Sequence, residues 1–147
     1  MSHVATVDIE IKDLAALKAA CKRIGLEFRA NQTRYKWYGR HVGDYPLPAG
    51  FKKEDLGQCE HAIGVPGKAD AYEIGVVSRR DGKPGKTLMW DFYAGGYGLE
   101  ALAGKNCNAL RQAYTVEAAR NAAKKQGFRV TGEKTLANGS IQLVVSK

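Results

Sequence analysis

Thr33-Arg34-Tyr35-Lys36-Trp37-Tyr38-Gly39-Arg40-His41 interleaves cations with aromatic rings. Guanidinium and ammonium groups neutralise phosphate, and an aromatic face stacks on a base or attracts a cation. The run has the chemistry to hold a free nucleotide or a flexible single strand. Arg34, Lys36 and Arg40 would meet phosphate, Tyr35, Trp37 or Tyr38 would stack, and His41 closes the run. If the backbone is extended, Arg34, Lys36 and Tyr38 face one side while Tyr35 and Trp37 face the other. The competing and favoured reading makes Tyr35 and Trp37 core residues and leaves the cations to solvate the outer face.

A second basic cluster, Arg79, Arg80, Lys83 and Lys86, surrounds Asp81-Gly82 and Pro84-Gly85. It reads either as a phosphate clamp or, preferably, as the solvated tip of a hairpin. Trp90 follows as a further ring, and Asp91 reads as the outward residue of an alternating strand in preference to an acceptor for a ribose or base edge. Gly95-Gly96-Tyr97-Gly98 lacks the Lys-Ser/Thr ending of a phosphate loop, although its backbone N–H groups suit an anion nest. A plain connection is the simpler account. The candidate ligand contacts are thus Arg34, Lys36, Trp37, Tyr38, Arg40 and His41 from the first run. Arg79, Arg80, Trp90 and Tyr97 join them from the second half.

Cys59-Glu60-His61 with His41 or Cys107 is the sole metal-like constellation, and the chain contains neither CxxC nor HExxH. No general acid, base and nucleophile set stands out, so the expectation is a protein that is not an enzyme and uses no cofactor or metal. Cys21 falls on an apolar stripe and is read as core.

The elements that must carry these residues come from 147 residues with a net charge of +8 and a pI near 9.5. One domain spanning 1–147 is expected, with an anionic partner made more attractive by the charge. The three cysteines are widely spaced, the start lacks a leader pattern, and no 18-residue apolar run occurs. These features predict a cytoplasmic protein with no membrane partner.

Val7, Ile9 and Ile11 alternate with Asp8 and Glu10 as in a strand. Asp13 then caps a helix whose stripe Leu14, Leu17, Cys21, Ile24 ends at Gly25, and Leu26-Glu27-Phe28-Arg29 resumes alternation. The C-terminal unit repeats the device: Val116, Ala119 and Ala123 lead to Gly127 and then to Phe128 and Val130. Asn138-Gly139 favours a type I′ turn into the strand Ile141 to Val145. Residues 20–28 lie over 122–130 at a constant offset, which suggests an internal pseudo-repeat. Between the units, 44–57 reads as a surface excursion, and Tyr72 to Val77 with Thr87 to Tyr93 as a hairpin. The expected fold is α+β, a mainly antiparallel sheet with two principal helices on one face, loosely ferredoxin-like in its ordering.

Met1-Ser2-His3 before a strand, Tyr72-Glu73-Ile74-Gly75, Trp90-Asp91-Phe92-Tyr93, Tyr114 and Gly139-Ser140-Ile141-Gln142-Leu143 occur here as an ordered set. In this the chain resembles the domain of unknown function 1257 family, which includes chloroplast and cyanobacterial hypothetical reading frame 35 proteins and has bacterial and phage members. The resemblance implies a compact intracellular domain, carries over no catalytic residue, and suggests by association an AAA-class ATPase as partner. The leading expectation is a non-enzymatic binding protein for an anionic ligand, a nucleotide-type small molecule ahead of nucleic acid. A phage member would sequester a nucleotide signal, and a homodimer would enlarge the pocket. The alternative is a protein-interaction or nucleic-acid-binding accessory module.

Overall fold

The computed structural model describes residues 2–137 and 140–147. The expected Asn138-Gly139 turn lies outside the described residues.

Strand β1 (Val4–Ile11) leads to helix α1 (Leu14–Arg23), whose first turn is held by Asp13 Oδ1 accepting the Ala16 N–H at 3.0 Å. The helix ends where Gly25 turns to φ +82°, and the Leu26 N–H reaches back to the Cys21 carbonyl at 2.9 Å. That closing bond drops Leu26 into the core and starts β2 (Glu27–Arg29). Strands β3 (His61–Gly64), β4 (Ile74–Ser78) and β5 (Lys86–Asp91) complete an antiparallel sheet in the order β1-β5-β4-β3-β2. Helix α1 therefore carries the chain from one sheet edge to the other.

The alternation of each strand sorts the interior into two layers. Val7, Ile11, Ile63, Ile74, Val76, Leu88 and Trp90 point to the helical face, where Leu17 and Cys21 of α1 meet Leu110 and Tyr114. The latter two belong to α3 (Asn108–Lys125), preceded by the short α2 (Leu99–Ala103). The Tyr114 hydroxyl accepts the Lys12 and Asp13 N–H groups at 3.0 and 3.2 Å, which ties α3 to the entry of α1. Val4, Ala62, Val77 and Met89 point the other way and are covered by Tyr35, Phe51 and Leu56. The stretch 44–57 is thus the cover of the second sheet face, a correction to its reading as a surface excursion. Apolar residues too sparse to form a helix or strand still suffice to seal a flat sheet.

Helix α3 runs unbroken through Thr115 and ends as α1 does, with Gly127 at φ +86° and the Phe128 N–H on the Ala123 carbonyl at 3.0 Å. The pseudo-repeat holds for these helix endings and stops there. Whereas β2 joins the large sheet, β6 (Arg129–Thr135) pairs only with β7 (Ile141–Ser146) in a separate two-stranded sheet. The chain is α+β as expected, and β1-α1-β2-β3 keeps the ferredoxin-like start before two further strands intervene. No described helix is long and apolar enough to cross a membrane.

Candidate ligand-binding face

Residues 31–38 form no strand beyond an isolated bridge between Arg34 and Gln58, yet their side chains alternate as an extended chain requires. Tyr35 is only 2% exposed and lies on Gly75, where a Cβ would overlap its ring. Trp37 is half-buried on Gly57 in the same way. Arg34, Lys36 and Tyr38 are exposed.

Two buried carboxylates pin this segment. Glu73 accepts the Lys36 N–H at 2.8 Å and the Gln32 amide at 3.0 Å, and pairs with the Arg29 guanidinium. Asp91, fully buried, accepts N–H groups from His3 at 3.0 Å, Tyr93 at 3.1 Å and Tyr38 at 3.2 Å. The outward reading of Asp91 is thereby corrected. On the second sheet face its position is roofed by the chain, and backbone donors from three segments satisfy it.

The next strand entry carries Tyr72, which is only 6% exposed and packs with the helical-side core. The Glu73 N–H donates to the Lys36 carbonyl and the Tyr72 N–H to the Gly96 carbonyl, each at 2.9 Å. Gly96 belongs to an unusual segment: Ala94, Gly95, Gly96 and Tyr97 have φ of 53°, 65°, 64° and 55°, a turn of left-handed helix. For Ala94 and Tyr97 such geometry costs about 1–2 kcal/mol each. The simple connection expected here is instead a strained turn that raises Tyr97 to the surface, 47% exposed. Its ring meets Tyr72 edge-on, centroids 5.0 Å apart and planes at 77°.

Burial, first, then the Asp91 carboxylate, then the Tyr97 and Tyr38 phenols push the Tyr72 hydroxyl up to about 12, so it stays a neutral donor. Cations edge the three phenols. Arg40 lies over the Tyr38 ring at 5.8 Å, Lys36 Nζ donates to the Ala69 carbonyl at 2.8 Å, and the Lys68 ammonium rests against Gly98. The face offers aromatic edges and planes, neutral hydroxyl donors and positive charge, a combination suited to an anion that carries a ring.

Of the residues expected to bind ligand, Lys36, Tyr38, Arg40 and Tyr97 come together here. Trp90 does not: it is buried in the layer under the helices, on the sheet face opposite Asp91. Nor do the two arginines of the hairpin. Arg79 bonds the Ile9 carbonyl and pairs with Asp81, whose carboxyl it holds down at about 2. Arg80 lies over the Phe51 ring at 4.7 Å and reaches the Gly50 carbonyl at 3.3 Å and Asp55 at 3.6 Å. Arg79 thus ties the hairpin to the β1 edge, and Arg80 serves the loop cover. Trp37 is spent on packing, Arg34 lies beside Gln58, and His41 is half-buried next to Arg40 in sequence.

Sequence reasoning missed Tyr72 and Lys68, which no local pattern joins to residues 36–40. It also missed an aromatic cluster in which His3 meets Tyr45, Tyr93 and Phe92 at 5.2, 5.3 and 5.5 Å and reaches Asp44 at 3.3 Å. That cluster fastens residues 44–45 to the start of β1.

Burial pushes the thiols of Cys21, Cys59 and Cys107 up to about 12, which leaves no activated thiolate. Among the described residues no three His, Cys, Asp or Glu side chains converge to hold a metal. An open hollow of about 520 Å³ runs beside β1, lined by Asp8, Glu10, Asn108, Arg111 and Thr115. Its one ring, Tyr114, has a hydroxyl already engaged by two amides, and its carboxylates disfavour an anion. No family model, curated protein or solved structure matches this chain.

Proposed function

We propose that the protein binds an anionic ligand bearing a planar ring, a nucleotide-type small molecule, on the face formed by Tyr38 and by Tyr97 backed by the buried Tyr72, with Lys36, Arg40 and Lys68, and performs no chemistry on it. The observation that carries this reading is the strained left-handed turn that lifts Tyr97 out of the chain and sets it against Tyr72, beside the cations around Tyr38. Strain of this kind persists where the surroundings enforce it, and ligand clamps are among its usual settings. A base would stack on the exposed ring while phosphate meets Arg40 and Lys68.

The test uses ATP and a fluorescein-labelled oligothymidine as probes. Saturable stabilisation by ATP, lost in Tyr97→Ala, is expected. Binding of the oligonucleotide alone, with affinity falling steeply as salt rises, would replace the small molecule by a nucleic-acid strand. That second reading is favoured by one observation: residues 117–147 hold six lysines and arginines against two glutamates, half of the net charge.

A further inference from the structure

No described residue after Val116 is buried. The end of α3 and the β6–β7 hairpin form an arm outside both core layers, with Val144 49% and Val145 43% exposed. Two strands alone are marginal in water; β6 and β7 rest one face on α3, and a further strand at the open edge would add to that support.

The edges available for pairing differ in charge. Strand β1 carries Asp8 and Glu10, and the Arg79 guanidinium occupies its Ile9 carbonyl. Strand β2 has three residues, two of them charged, and β6 carries Arg129, Glu133 and Lys134. Charges of this kind protect an edge from pairing. Strand β7, Ile141-Gln142-Leu143-Val144-Val145-Ser146, has no charge and no proline.

The free side of β7 is defined by its bonds to β6. The Val144 carbonyl accepts the Thr131 hydroxyl at 3.3 Å, and the Ser140 carbonyl accepts the Leu136 N–H at 2.7 Å. Even-numbered residues thus turn their backbone groups towards β6. By alternation, Ile141, Leu143 and Val145 turn theirs outward. Leu143 is opposite Glu133, which bonds Arg23 and Arg120, so the outward-bonding residues carry their apolar side chains on the helix side.

We infer that β7 is a homodimer interface: it pairs antiparallel with β7 of a second copy about a two-fold axis at Leu143, making a four-stranded sheet. In that register Leu143 faces Leu143 of the second copy and Ile141 faces Val145, so every outward-bonding residue meets another. Gln142 faces Val144, and no like charges are opposed. An isologous contact requires a surface complementary to itself, and an uncharged strand with this parity supplies one.

Light scattering after size exclusion should give about twice the chain mass of 16.0 kDa, falling towards 16.0 kDa on dilution. Gln142→Glu with Val144→Glu, both on the solvent side, should weaken dimerisation about tenfold by opposing like charges, and Gln142→Lys with Val144→Glu should restore it. Leu143→Cys should form a disulfide-linked dimer on oxidation, whereas Lys134→Cys should not. A monomer at every concentration overturns the inference, as does a dimer indifferent to the paired glutamates and not trapped by Leu143→Cys.

Discussion

The Tyr97 ring meets Tyr72 edge-on with centroids 5.0 Å apart, although neither residue lies in a regular helix or strand. Each is placed by backbone: Tyr72 by its N–H on the Gly96 carbonyl, Tyr97 by the left-handed turn that contains Gly96. The same hydrogen bond thus sets both halves of the aromatic pair, and the geometry of the turn is the point at which the face is most sensitive.

Ala94 is exposed and holds a positive φ of 53°. Ala94→Gly should therefore raise stability by about 0.5–1 kcal/mol, the relief of a left-handed L-residue less the entropy of an added glycine. Gly96→Ala should act oppositely, because its Cβ would enter at 3.0 Å from the Leu99 Cβ at φ 64°. Urea titration of the two variants reads both signs.

Asp91→Ala leaves the N–H groups of His3, Tyr38 and Tyr93 without their acceptor. A loss of about 3 kcal/mol or more is expected, since orphaned buried donors cost about 1–3 kcal/mol each. Trp37 fluorescence should shift to the red as residues 36–45 lift from the sheet, and an unshifted spectrum would show that the segment holds without Asp91.

Gly75→Ala tests the cover of the second sheet face directly. The added methyl would overlap the Tyr35 ring and come within 3.0 Å of the Cys59 Cβ. A cost of about 1–3 kcal/mol is expected in chemical denaturation. A neutral result would mean that Tyr35 does not lie on β4.

The Asp13 carboxyl is held below its ordinary value of 3.8, chiefly by the Ala16 N–H and then by the Asn121 amide. A depressed folded-state value stabilises the protein above the ordinary range, and this contribution is lost as pH falls through the lowered value. Asp13→Ala should cost about 1 kcal/mol at neutral pH, as the loss of a helix cap does. The gap between wild type and variant should close in acid, which thermal melts from pH 7 downward would follow.

Strand alternation and helix endings were legible because their signals are local. Asp13, Gly25 and Gly127 mark helix boundaries by chemistry that acts within a few residues. Alternation likewise sorted Tyr35 from Lys36 and Tyr38 without a strand to contain them. The role of Asp91 was not legible, since its three donors come from positions 3, 38 and 93 and a carboxylate in an alternating strand reads as solvated. Arg79 and Arg80 failed for the same reason: a cation carries no mark of whether a carbonyl 70 or 30 residues away awaits it. Trp90 was offered as a ligand contact although the outward reading of Asp91 already turned it to the other sheet face, where it is buried under the helices. The left-handed turn was hidden because Gly-Gly-Tyr-Gly permits many geometries, and the N–H groups that fix one come from Leu99 and from the distant Tyr72.

Native mass spectrometry of the gently purified protein, before and after denaturation, tests the ligand-binding face most directly when wild type is run beside Tyr97→Ala with Arg40→Ala. The account predicts a nucleotide-sized mass on the wild type, retained or restored by added ATP and released on denaturation, and absent from the variant. A wild-type chain that stays bare with ATP, or a variant that keeps the same mass, would contradict it.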